Sequence, residues 1–118
     1  PYRISFRDVR EEDPQGPLME FPLSPLMLGK LKVPISGGFY LRLFPLFFLY
    51  WGLRRINREH PFLLYFHPWE GHLETPRFKL PPLNRFISYY GIDSALRKFE
   101  FLLRHFKFDR VDQVLDLN

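Results

Sequence analysis

The chain has 118 residues, enough for one domain and too few for two. Hydrophobic residues make up 46% of it and aromatic residues 19%, with 14 Phe, a composition that excludes a disordered polar chain. There is no cysteine, so disulfides and thiolate chemistry are excluded, while a net charge of +4 suits an acidic partner without requiring one.

In chain order, Tyr2 to Phe6 reads as a short extended segment and Arg7 to Pro17 as a charged, solvated loop. Leu18 to Leu23 is predicted to be a strand, shortened by Pro22 and Pro25. Lys32 to Ile35 leads into the turn residues Ser36-Gly37-Gly38. A helix is predicted from Pro45, with Leu46, Leu49, Trp51, Leu53 and Ile56 as apolar positions. Arg54, Arg55 and Arg58 complement the dipole at its end, and His60-Pro61 stops it. Phe62 to Phe66 follows as an unbroken apolar run, the pattern of a parallel strand buried on both faces. Helix then strand is the second half of a βαβ unit, so the fold class predicted is α/β.

Glu70 to Asn84 is a long Pro-rich loop. Leu83 to Tyr90 is predicted to be a short helix closed by Gly91. Asp93 is the expected N-cap of the clearest amphipathic helix, with Leu96, Phe99, Leu102, Leu103 and Phe106 on one face. Lys107 to Leu117 reads as a terminal strand or turn. The longest apolar stretch, Leu43 to Leu53, is interrupted by Pro45 and Gly52 and is too short to cross a bilayer, so no transmembrane segment is expected. The chain opens on Pro1 and reads as a piece of a longer protein.

Three segments carry candidate chemistry. His67 stands at the end of the apolar run, followed by Pro68, Trp69 and Glu70. It reads either as a packed core residue or as a general acid or base, with Glu70 taking the second ring N–H and Trp69 shielding the ring from water. Gly37 and Gly38 form either a plain tight turn or a site that presents N–H groups to an anion or a carbonyl oxygen. Tyr40 and Arg42, two apart, share a face if the segment is extended, where they would hold the hydroxyl or acidic groups of a sugar. The four histidines at 60, 67, 72 and 105 lack metal-ligand spacing, so the chain is expected to bind no metal by itself. No nucleic-acid-binding motif is present, and no nucleic-acid partner is expected.

The segments Pro34-Ile35-Ser36-Gly37-Gly38-Phe39-Tyr40-Leu41-Arg42-Leu43-Phe44-Pro45, Arg54-Arg55-Ile56-Asn57, Tyr65-Phe66-His67-Pro68-Trp69-Glu70, Pro76-Arg77, Arg85-Phe86 and Tyr89 resemble, in order and spacing, the C-terminal region of the bacterial polysaccharide deacetylases of exopolysaccharide gene clusters. That region, often catalogued as a domain of unknown function, belongs to enzymes of carbohydrate esterase family four. The resemblance covers nearly the whole chain. It implies that residues 1–118 are the C-terminal portion of a distorted (β/α) deacetylase barrel, incomplete alone. It implies a divalent metal, zinc by analogy, held by ligands upstream of this chain, and an N-acetylated polysaccharide as substrate. His67 matches the family's histidine that protonates the departing amine, and Tyr40, Arg42 and Trp69 are expected at the sugar. The N-terminal half of the same enzyme would be the partner, and the fragment alone would be inactive. Phe39 departs from a usual third glycine and Ser88 from a usual histidine. The rival expectation, from aromatic content and basic charge, is a non-catalytic carbohydrate-binding or envelope interaction module.

Overall fold

The computed structural model describes residues 1–115. Strand β1 (Tyr2–Ile4) pairs antiparallel with β2 (Leu18–Glu20), Tyr2 opposite Glu20 and Ile4 opposite Leu18. The loop between them is folded by Asp8 and Asp13, whose carboxylates accept the N–H groups of Arg10 (3.0 Å) and Gln15 (2.9 Å) two residues on. As expected, β2 is short and ends before Pro22.

A second ribbon follows that the sequence pattern does not announce. Strands β3 (Pro25–Leu28) and β4 (Leu31–Pro34) form a hairpin whose two-residue turn starts at Gly29, with φ +61°. Prolines close both outer ends, where a missing N–H does least harm. Leu26 is buried against α2 (Leu46–Asn57), and Gly52 of α2 permits the approach, since a Cβ there would lie 2.7 Å from Ile35 Cδ1.

The segment Ser36–Leu43 is not extended. Helix α1 (Gly38–Leu43) starts inside it, and α2 follows after a break at Phe44-Pro45. Pro45 is the N-cap, its carbonyl accepting the N–H groups of Phe48 and Leu49 (3.1 Å each). Leu49, Leu53 and Ile56 are buried as the periodicity predicts, whereas Trp51 is exposed.

Phe62 to Phe66 forms no sheet strand. It is extended, with one parallel bridge in which Tyr65 N–H donates to Ser36 C=O at 2.8 Å. Its apolar residues meet the C-terminal part of the chain instead: Phe62 packs edge-on against Phe106 and Phe108, and Phe66 stacks on Phe99 at 4.6 Å. There is therefore no βαβ unit at this point. The fold is mixed α and β, its strands forming two separate two-stranded ribbons among the described residues, with no closed barrel.

A single 3-10 turn (Pro68–Gly71) begins the Pro-rich loop. Helix α3 (Pro82–Tyr89) then meets α4 (Ile92–His105) through Gly91, which adopts φ +71° and is the N-cap of α4. Asp93 lies in the first turn of α4 instead of capping it. Leu102 and Ala95 are buried, while Leu96 and Leu103, expected on the same face, are exposed. A short helix, α5 (Val111–Val114), replaces the expected terminal strand or turn, whose last residues lie outside those described. Leu26, Ile35, Leu41, Leu49, Leu53, Ile56 and Leu102 form the core, each burying apolar side chain worth roughly 2 kcal/mol. No helix of the described residues is long and apolar enough to cross a membrane.

Candidate functional site

Because residues 38–43 are helical, Tyr40 and Arg42 point to different sides, not to one face. Tyr40 is half-buried and stacks on Phe44 at 6.2 Å. Arg42 is buried. Its Nε donates to Glu70 Oε1 (3.2 Å), its Nη1 to the carbonyls of Ser88 (3.2 Å) and Tyr90 (2.8 Å), and its Nη2 to that of Ile87 (2.9 Å). Nη2 also pairs with Glu70 Oε1 at 3.2 Å. Every N–H of the guanidinium is thus engaged inside the protein, and Arg42 has none left for a sugar. It instead satisfies carbonyls around the C-terminal end of α3, a helix with no basic residue in its own last turn.

Lys98 does the same for α1. From α4 its Nζ donates to the carbonyls of Leu41 (3.1 Å), Arg42 (3.0 Å) and Phe44 (2.8 Å). Burial holds the Lys98 ammonium below its usual pKa, opposed by the nearby Asp93 carboxylate.

Glu70 is buried and serves two partners. Oε1 takes Arg42, and Oε2 accepts the backbone N–H of His67 at 3.0 Å. The second half of this capping box turns the His67 side chain toward the Glu70 N–H, whose well-aligned bond goes to the His67 carbonyl (3.0 Å). Glu70 therefore orients His67 through its backbone, not through a ring N–H. Gly38 is needed for this arrangement: a Cβ there would lie 1.7 Å from Glu70 Oε2. The space that Gly37 and Gly38 were expected to offer an anion is lined at Gly38 by the protein's own carboxylate. Gly37 is the N-cap of α1, its carbonyl accepting Leu41 N–H at 2.9 Å.

The His67 ring is held by aromatics. Its Nε2 lies 2.7 Å from the Tyr65 hydroxyl, and the Trp69 ring stacks beside it at 6.1 Å. Which of the two groups donates in this pair is set by the imidazole tautomer. Tyr65 is exposed, so the outward end of this pair is the Tyr65 hydroxyl. Tyr65 was not singled out from the sequence. Its place two residues before His67 in an extended segment, hence on the same face, was the signal available.

The aromatic surface continues beyond His67. The Arg42 guanidinium carbon lies 5.5 Å from the centroid of the Trp69 ring and 5.6 Å from that of Phe39. Phe39 meets Phe86 edge-on at 6.3 Å, and Phe86 packs on Tyr90 at 4.7 Å. His67, half-buried, and Trp69 and Phe86, both exposed, thus lie along one ribbon, which Arg42 supports from beneath. Among the described residues no three His, Asp or Glu side chains converge as a metal site would require.

The model of a protein family described as a domain of unknown function (DUF3473) matches residues 3–116. No curated protein matches the chain, and no solved structure matches it.

Proposed function

The chain belongs to the DUF3473 family over nearly its whole length, and on that premise we propose that it is the C-terminal part of a bacterial, metal-dependent polysaccharide N-deacetylase of exopolysaccharide biosynthesis. The N-terminal half of the same enzyme would complete a distorted barrel and supply the ligands of the divalent metal. Among the described residues no three His, Asp or Glu side chains gather as metal ligands. What this chain contributes is His67.

The observation behind this is that His67 is fixed at both ends and open at its edge. Glu70 holds its backbone N–H at 3.0 Å, Tyr65 meets Nε2 at 2.7 Å, and Trp69 flanks the ring. In its protonated form, an imidazole so placed gives its Nε2 proton to the Tyr65 hydroxyl while that hydroxyl gives its own to the departing amine nitrogen, and His67 is left as neutral imidazole. Trp69 is the aromatic residue next to His67 for the N-acetylated sugar, and Arg42 acts as a positioning residue beneath it.

The test is acetate release from an N-acetylated oligosaccharide by the intact enzyme. His67→Ala is expected to lower turnover by roughly 10²–10⁴-fold with an unchanged melting temperature. Tyr65→Phe is expected to lower it less, because the imidazole remains. Near-normal turnover by the His67 variant overturns the assignment and favours the non-catalytic carbohydrate-binding module.

A further inference from the structure

Two openings lie along α3. One, about 400 Å³, is lined by Leu80, Pro82, Arg85, Phe86, Tyr89 and Tyr90. The next, about 310 Å³, adds Arg77, Phe78 and Lys79 and shares Leu80, Arg85 and Tyr89 with the first. Shared walls make them two halves of one groove. The segment before α3 is held against it where Phe78 N–H donates to the Tyr89 hydroxyl at 2.9 Å, and the Arg77 guanidinium lies 5.8 Å from the Tyr89 ring centroid.

Arg77, Lys79 and Arg85 are exposed, and no carboxylate lines either half. The ion pairs of the described residues are Arg42–Glu70 and Arg110–Asp112, so none of the three cations has an acidic partner. Three unpaired cations beside Phe86, Tyr89 and Tyr90 are ill suited to a neutral ligand. They suit one that combines carboxylates with apolar ring faces, since guanidinium forks take carboxylates and aromatic rings take the C–H face of a sugar. The groove is also continuous with the ribbon to His67, because Phe86 packs on Phe39, which lies over Arg42 next to Trp69.

We propose that this groove binds a carboxylated, uronate-type stretch of the polymer whose neighbouring residue is presented to His67. The proposal rests on the sugar-polymer reading above and narrows its substrate to an anionic class. A single-stranded nucleic acid also combines negative charge with stacking rings, but the ribbon leads from the groove to a proton-transfer histidine, which a nucleic acid would not need.

The test titrates the intact protein with polygalacturonate and with its methyl ester, which keeps the sugar backbone and removes the charge. The acid form is expected to bind about tenfold or more tightly than the ester, and Arg77→Gln and Arg85→Gln each to weaken it about tenfold, the effect of one charge-assisted hydrogen bond. Arg54→Gln with Arg55→Gln, on α2 away from the groove, is expected to change nothing. Equal binding of acid and ester overturns the proposal. So does an equal loss in the α2 variant, which would mean attraction by net charge, or tighter binding of an oligothymidylate. If neither polymer binds while acetate release persists, the groove assignment alone falls. If acetate release is absent as well, the sugar reading falls with it.

Discussion

In residues 1–34, which form the two ribbons, only Gly16 and Leu26 are buried, and Leu18, Met19, Leu28 and Leu31 lie open to solvent. In the helical part, α1, the 3-10 turn, α3 and α4 are joined by two buried or half-buried cations, Arg42 and Lys98, that together reach six backbone carbonyls and one carboxylate. One region is held by strand pairing and buries few of its side chains. The other is locked from within by groups that tolerate no loss of partner. A two-stranded ribbon is marginal by itself, so the first region draws its order from α2, while the second specifies its own geometry.

The sharpest way to break this contrast is Arg42→Met. It leaves Glu70 buried without its partner and frees the carbonyls of Ile87, Ser88 and Tyr90, an expected loss of about 3–5 kcal/mol in urea denaturation. A loss under 1 kcal/mol would show that the helical part is held by its apolar core alone.

Lys98→Met is expected to cost less, about 2 kcal/mol, because its three acceptors end a short helix nearer to solvent. The same residue carries a pH signature. Its folded pKa lies below the ordinary 10.5, so just below that pH the unfolded chain binds more protons than the folded one. Its contribution to stability therefore rises as pH climbs through that window, and Lys98→Met should remove the slope. Melting temperatures of both proteins between pH 8 and about 10.5 would check this.

The smallest effect is expected in the ribbons. Leu31 is 62% exposed, so Leu31→Ser should shift stability by no more than about 0.5 kcal/mol while improving solubility at high concentration. A larger loss would mean that the hairpin is packed against something in solution.

Periodicity made α2 and α4 legible, the first from Pro45 to a polar end and the second behind Asp93, and Gly91 marked the close of α3. The hairpin of β3 and β4 escaped because Pro-Leu-Met-Leu and Leu-Lys-Val-Pro show no clean alternation, and one glycine was the whole turn signal. Phe62 to Phe66 is no sheet strand for a physical reason: an apolar run calls for cover without saying whether a sheet or helices supply it, and Tyr65 within it stays exposed. His67, Trp69 and Glu70 were legible as a cluster from their adjacency. The Arg42–Glu70 pair was not, since its partners are 28 positions apart and a buried ion pair leaves no local pattern. Arg42 looked like a ligand-binding residue for the same reason that it serves as an internal one: a guanidinium suits any set of planar oxygen acceptors.

The guanidinium of Arg42 has a consequence for heredity as well as for geometry. The groove helix and the histidine turn meet on one side chain of α1, the helix whose first residue is the glycine that admits Glu70. None of these pieces can be exchanged between relatives by itself: a transplanted α3 would arrive without the donor for its terminal carbonyls, and a transplanted histidine turn without the cation for its carboxylate. Recombination that cuts between residues 38 and 90 should yield misfolded chimeras, whereas crossovers within the ribbons should be tolerated. The unit that can be inherited intact is the whole stretch that Arg42 gathers.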